Sequence, residues 1–186
     1  MAQGKTISSD SVIGTGSIRR QLQIKAKYGC KCKDIRGNVP TRLKKLDDGE
    51  YDGIILARAG LDRLDMIDID KYNYEFFETL DFVPAPCQGI IAVENRADDE
   101  YIRDVLKAIN HMETYVCFVA ERAFLKAMDS GCQTPLGAIS EIGENNLKME
   151  CFYYKDRIVK MSIEGENPVL TAAVLAKKLK EVTNEG

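Results

Sequence analysis

The sequence predicts two architectures in succession: an α/β domain on a parallel sheet, then a small α+β domain with an antiparallel three-stranded sheet. Three observations carry this. Short apolar runs alternate with helical patterns through the first third, in a βαβαβ order. Gly53-Ile54-Ile55-Leu56-Ala57 shows no polar alternation, as expected of a strand buried on both faces of a parallel sheet. The last part instead strings together two amphipathic helices, three alternating strands and a closing helix.

Val12-Ile13-Gly14 is the first strand, and residues 16–28 follow as a helix with Ile18, Leu22 and Ala26 on one face. Residues 32–35 form the second strand, residues 41–46 a short helix, and Asp47-Asp48-Gly49 a turn rather than a carboxylate dyad. The aromatic stretch Tyr72 to Phe77 reads as one or two helical turns. Phe82-Val83-Pro84-Ala85-Pro86 is extended, because each proline pushes its predecessor out of the helical region. Ile90-Ile91-Ala92-Val93 reads as another strand.

Asp98 is placed to cap a helix running to Asn110 along Ile102, Val105, Leu106 and Ile109. Residues 113–128 repeat apolar side chains at Val116, Val119, Ala120, Ala123, Phe124 and Ala127, the period of a helix. Strands are expected near 137–142, 147–154 and 157–163. Asn167-Pro168 then opens a helix to about residue 182, with a capping side chain followed by proline in the first turn.

The net charge of −3 hides an asymmetry. Residues 1–63 hold 13 Lys/Arg against 7 Asp/Glu, and residues 64–186 hold 13 against 22. A basic first third suits an anionic ligand. Nucleic acid is disfavoured, since no aromatic stripe and no DNA-reading motif accompanies the charge. No apolar run nears the roughly 18 residues that span a bilayer, and Met1 to Asp10 is polar, so a cytoplasmic protein without membrane partners is expected.

Arginines mark the ends of the three strands. Gly14-Thr15-Gly16-Ser17 follows the first strand and offers backbone N–H groups to an anion, with Arg19 and Arg20 in the next helical turn. Cations there oppose the helix dipole, so their presence calls for a functional reason. Arg36, Gly37-Asn38 and Arg42 repeat the arrangement at the second junction; Arg58 and Arg63 follow the third strand, Arg58 being the weakest member. In a parallel sheet these ends share one edge, where α/β proteins take their ligands. Arginine suits bidentate contact with carboxylate or phosphate. The expected ligand is small and polyanionic.

Cys132 lies in the turn Ser130-Gly131-Cys132-Gln133-Thr134-Pro135, more accessible to covalent chemistry than a core thiol. The six cysteines are scattered, without zinc spacing, and free thiols are the expectation. Cys30 and Cys32 read as same-face positions at a strand entrance in preference to a soft-metal pair. Cys87 reads as a small buried residue and His111 as a structural residue at a helix junction. Glu121-Arg122 is open between a buried or inter-domain pair and a surface pair.

Taken together, these stretches resemble porphobilinogen deaminase (hydroxymethylbilane synthase). The resemblance runs through residues 13–20, 35–43 and 49–64, then Gln88-Gly89, Ala120-Glu121-Arg122-Ala123 and Gly131-Cys132-Gln133-Thr134-Pro135-Leu136-Gly137, and covers nearly the whole chain. It implies a transferase of tetrapyrrole (heme) biosynthesis. A dipyrromethane cofactor is held on the loop cysteine, here Cys132, through a thioether. Porphobilinogen loses ammonia, the free α-position of the growing chain attacks, and four additions precede hydrolytic release of hydroxymethylbilane. The resemblance assigns Arg19, Arg36, Arg42 and Arg63 to the acetate and propionate groups of substrate. Thr15, Ser17, Arg19, Arg20, Arg36, Asn38, Arg42 and Gln88 are assigned to the cofactor.

The resemblance further implies that residues 1–85 are the family's second domain and that residues 108–186 are its cofactor-attachment domain. Residues 86–107 are then a segment returning to a first domain largely absent here. The family's catalytic aspartate belongs to that domain, so no catalytic residue is assigned in this chain. A separate N-terminal domain is a candidate partner beside porphobilinogen and linear pyrrole chains; full-length members are typically monomers. The alternative is a non-catalytic polyanion-binding module or an inactive fragment of the enzyme, the α/β half being of the kind found in periplasmic binding proteins.

Overall fold

The computed structural model describes residues 1–2, 4–129 and 134–184. The chain divides into two units, Met1–Phe82 and Val83–Gly186.

In the first unit, β1 (Val12–Gly14) lies between β2 (Lys31–Lys33) and β3 (Gly53–Ile54), and both pairings are parallel. Gly14 stands level with Lys33 and with Ile54, so the three carboxyl ends share one edge. A Cβ on Gly14 would sit 2.8 Å from the Tyr51 ring, which is why the chain has glycine where β1 ends. The Tyr51 hydroxyl in turn donates to the Asp34 carbonyl at 2.8 Å, fixing the exit of β2.

Each βα junction is closed by a polar cap. Ser17 caps α1 (Ile18–Tyr28), and Asn38 caps α2 (Val39–Asp47) by accepting from the Thr41 N–H at 3.0 Å. Pro40 stands in the first turn of α2, where its missing N–H costs nothing. The helix α3 (Arg58–Arg63) follows β3 after three residues. Two apolar clusters hold the unit. One gathers Ile35, Leu43, Leu46, Tyr51, Leu61 and Tyr72; the other gathers Ile13, Ile24, Cys30 and Phe82.

The second unit contains α4 (Glu100–Lys107), α5 (Met112–Ala127), the antiparallel meander β4 (Leu136–Ile142), β5 (Leu147–Tyr154) and β6 (Ile158–Gly165), and α6 (Pro168–Asn184). The helices α5 and α6 bury Ala120, Phe124, Ala172, Leu175, Ala176 and Leu179 against Leu136, Ala138, Met149 and Cys151. The spacing from Ala172 to Leu179 is the i, i+3, i+4, i+7 stripe of a core-facing helix. Asn167 caps α6 by accepting from the Val169 and Leu170 N–H groups, both at 3.0 Å.

The parallel sheet, the antiparallel sheet and their order agree with the sequence. Several elements differ. Residues 72–77 form no helix; Tyr72 makes an isolated antiparallel bridge to Ala2, and aromatic contacts such as Phe77 on Phe82 fix the stretch. Residues 90–93 form no strand, and Ile91 and Val93 are 71% and 58% exposed; apolar β-branched composition has no neighbour to pair with. The helix α1 buries Arg19, Gln23 and Ile24, whereas Ile18 and Ala26 are exposed. The cap of α4 is Asp99, one residue later than expected, and accepts from the Ile102 N–H at 3.0 Å. The helix α3 is unforeseen, and β3 stops at Ile54.

Candidate functional site

The site begins at the carboxyl end of β1. Thr15 is buried, its N–H donates to the Lys33 carbonyl at 3.1 Å, and its Oγ1 accepts from the Ser17 N–H at 3.3 Å. The Gln21 amide closes on the Thr15 carbonyl at 3.0 Å. These bonds fold residues 14–17 into a tight turn, with Ser17 accepting from the Arg20 N–H.

Arg19 and Arg20 leave that turn in different environments. Arg19 is only 6% exposed, and burial pushes its guanidinium below its ordinary range, with the charge of Arg20 adding to the effect. Arg20 donates to the Ile55 carbonyl, just past β3, at 3.2 Å. Its guanidinium is also lowered, by burial and then by the charge of Arg42. Arg42 reaches back from α2 to donate to the Gly37 carbonyl at 2.7 Å. Gly37 has φ of +119°, and a Cβ there would meet Thr41 at 2.7 Å, so this junction requires glycine. Asn38 accepts from both the N–H and the hydroxyl of Thr41.

The junctions of β1 and β2 therefore gather Arg19, Arg20 and Arg42 closely enough for their like charges to act on one another. The other three strand-end arginines, Arg36, Arg58 and Arg63, are exposed. Arg36 is exposed and ion-paired with Asp34 at 3.3 Å. Arg58 is exposed, pairs with Asp62 at 3.5 Å and lies over the Phe76 ring. Arg63 is exposed at the end of α3.

In the second unit a hollow of about 350 Å³ is lined by Pro84, Gln88, Ile90, His111, Cys117, Glu121, Ser140 and Ile142, among others. Glu121 is 4% exposed. Its carboxylate accepts from the Cys87 N–H and from the N–H and hydroxyl of Ser140. Burial pushes the Glu121 carboxyl up, and these bonds pull it back. Arg122 is exposed, as neighbours on a helix point in different directions, so Glu121 and Arg122 have separate environments. The sequence signal for its burial is Ala120 and Phe124, which stand with Glu121 on the buried stripe of α5.

His111 caps α5, its Nδ1 accepting from the Thr114 N–H. Cys30 and Cys32 each donate to a carbonyl of α1, of Ile24 and Gln21 respectively. Among the described residues no three metal-ligating side chains converge, and no helix is long and apolar enough to cross a membrane. The five described cysteines are free. Cys132 and its neighbours Ser130, Gly131 and Gln133 lie outside the described residues.

Fold and site define a two-unit protein with an α/β half that collects arginines at its strand-end edge and an α+β half around a buried carboxylate. The family model for the porphobilinogen deaminase dipyrromethane cofactor binding domain matches residues 2–104, and that for the porphobilinogen deaminase C-terminal domain matches residues 115–183. The chain belongs to the porphobilinogen deaminase family. It is 45% identical over 145 residues to the porphobilinogen deaminase of Coxiella burnetii, covering 77% of this chain and 46% of that protein. The Nostoc protein of that name is 42% identical over 165 residues, 88% of this chain and 48% of its own length. That of Ruminiclostridium josui is 39% identical over 174 residues, 90% and 58% respectively. The chain spans about half the length of the curated relatives it matches.

Proposed function

We propose that this chain supplies the cofactor-binding and cofactor-bearing parts of a transferase of tetrapyrrole biosynthesis, which builds hydroxymethylbilane from four porphobilinogen molecules. The observation that carries the reading is the like-charge group Arg19, Arg20 and Arg42 at one sheet edge. Two guanidinium groups are held there at the expense of their own charged forms, and a ligand with several carboxylates offsets that cost. The chemistry of the donors fits a dipyrromethane, each of whose rings carries an acetate and a propionate.

In this reading Cys132 anchors the cofactor by a thioether. Arg19, Arg20, Arg36 and Arg42 hold its carboxylates, while Thr15, Ser17, Asn38 and Gln88 supply polar contacts. Arg19, Arg36, Arg42 and Arg63 receive the carboxylates of incoming porphobilinogen. When bound, the cofactor supplies the pyrrole α-position that extends the chain. The protein's own residues orient carboxylates and neutralise their charge. Residues 1–85 and 108–186 act as the family's second and third domains, with 86–107 as the segment that returns toward the family's first domain. The free thiols of Cys30, Cys87 and Cys151 suit a reducing cytoplasm. Neither nucleic acid nor membrane is a partner.

Isothermal titration with a dipyrrole bearing acetate and propionate chains tests the reading. Replacing Arg19 or Arg42 by methionine weakens binding about 10- to 100-fold, the value of a charge-assisted hydrogen-bonded contact. Unchanged affinity in both variants contradicts it.

A polyanion-binding module without turnover, built on a periplasmic-binding-protein-like α/β half, is the second reading. It is favoured by one feature: the assigned side chains of the described site are cations, hydroxyls and amides, the groups that hold an anion. Mixing the chain with a separately made N-terminal domain and porphobilinogen separates the two. Hydroxymethylbilane formation supports the transferase; a folded, cofactor-loaded mixture without turnover supports the module.

A further inference from the structure

Among the described residues only Arg19 and Glu121 are buried charged residues. Arg19 has a place in the proposed anion site; Glu121 has none. Its surroundings show what it does. One carboxylate oxygen accepts from the Cys87 N–H, and the other accepts from both the N–H and the hydroxyl of Ser140 at 2.9 Å. Each oxygen thus accepts from a backbone N–H, which a carboxyl group with two oxygens provides and an amide with one does not, and the Ser140 hydroxyl also reaches the Cys117 carbonyl at 3.2 Å. Ser140 lies on β4, the edge strand of its sheet, and the bond covers a backbone N–H that no neighbouring strand reaches. Two residues earlier on the same edge, the Ala138 N–H donates to the Pro84 carbonyl at 3.1 Å.

Residues 84–88 are thus held at two points, Pro84 directly on the β4 edge and Cys87 through the Glu121 side chain of α5, which itself bonds Ser140 on β4. The second point is strained: Cys87 has φ of +61°, a left-handed conformation that disfavours any residue with a side chain. Gln88 follows immediately and lines the hollow that Glu121 also lines. We propose that Glu121 is a positioning residue, whose carboxylate holds the Cys87 turn against α5 and β4 and so sets Gln88 at the cavity. This rests on the reading that Gln88 contacts the pyrrole ligand.

Nuclear magnetic resonance of the full chain tests the clamp itself, with Glu121→Gln as the variant. The Cys87 and Ser140 amide protons lose their downfield, charge-assisted positions. Exchange of the Cys87 amide quickens about 10- to 100-fold, while core amides such as Phe124 keep their rates. Cys87 signals that match the unmodified protein overturn the proposal, as does equal loosening of the whole unit. If Glu121→Gln does not fold, Glu121→Asp serves: it keeps the charge but shortens the reach, and the same two amides must shift.

Dipyrrole titration tests the consequence. Glu121→Gln and Gln88→Ala weaken binding by the same factor, and the double variant loses no more than either. Binding by Glu121→Gln equal to the unmodified chain, with the amide signatures gone, overturns the positioning role. An unmodified chain that binds no dipyrrole overturns the functional reading instead, while the amide signatures still report on the clamp.

Discussion

The Glu121 carboxylate accepts both the backbone N–H and the hydroxyl of Ser140, each at 2.9 Å. A charge inside the second unit is thereby satisfied by an edge strand instead of by a cation. Removing the hydroxyl in Ser140→Ala leaves the backbone bond and withdraws one donor. Urea denaturation is expected to show a loss of about 1–2 kcal/mol, the cost of one hydrogen bond to a charged group.

The same carboxyl predicts a pH dependence. Its pKa is raised in the folded protein, chiefly by burial, so the folded state binds its proton more tightly than the unfolded state. Its contribution favours folding below the unfolded carboxyl range and is lost as pH rises through the folded value. Glu121→Gln removes this titration. Stability measured from pH 4 upward is expected to change less with pH in the variant, and an identical slope refutes the assignment.

Buried and half-buried thiols predict a loss of stability in alkali. Burial pushes Cys151 up to about 12 and Cys32 up to about 11, and burial with the Glu121 charge pushes Cys87 up to about 11. Folding keeps these thiols protonated, a contribution fully present below the unfolded thiol pKa of about 8.5 and lost as pH rises through the folded values. Above that point the cost is at most about 1.4 kcal/mol per pH unit for the buried Cys151, and less for the partly exposed Cys32 and Cys87. Thermal melts between pH 8 and pH 11 should show falling stability, with a shallower fall in Cys151→Ala.

The helix α4 separates exposure from burial. Tyr101 and Val105 are 77% and 50% exposed, and α4 buries no residue. Val105→Lys is expected to change stability by less than about 0.5 kcal/mol. Phe124→Ala, at a position with no exposure, is expected to cost about 3–5 kcal/mol. Chemical denaturation of the two variants checks the contrast.

The arginine group predicts ligand-dependent stability. A tricarboxylate such as citrate should raise the melting temperature of the first unit, by about 4–8 °C for each kcal/mol of binding. Arg19→Met should abolish most of the rise.

Much of this was legible in the sequence because the signals were local. Ser17, Asn38 and Asn167 are caps whose side chains bond within three residues, and Gly14 and Gly37 mark turns that tolerate no side chain. The arginines at the strand ends were legible because a parallel sheet places successive carboxyl ends together. Long-range choices were not. Ile90 to Val93 has a strand's composition, but pairing depends on a neighbour distant in sequence. The face of α1 followed Ile18 and Ala26 on apolar grounds, whereas the fold buries Arg19 and Gln23 beside Ile24. Glu121 beside Arg122 resembled a pair, and only the edge of β4 and the turn at Cys87 revealed its partners.

Intact-protein mass spectrometry of the chain produced in cells that make tetrapyrroles tests the central proposal most directly. A covalent adduct of two pyrrole units is expected on the unmodified chain and absent from Cys132→Ser. A chain of unmodified mass, or an adduct that survives Cys132→Ser, contradicts it.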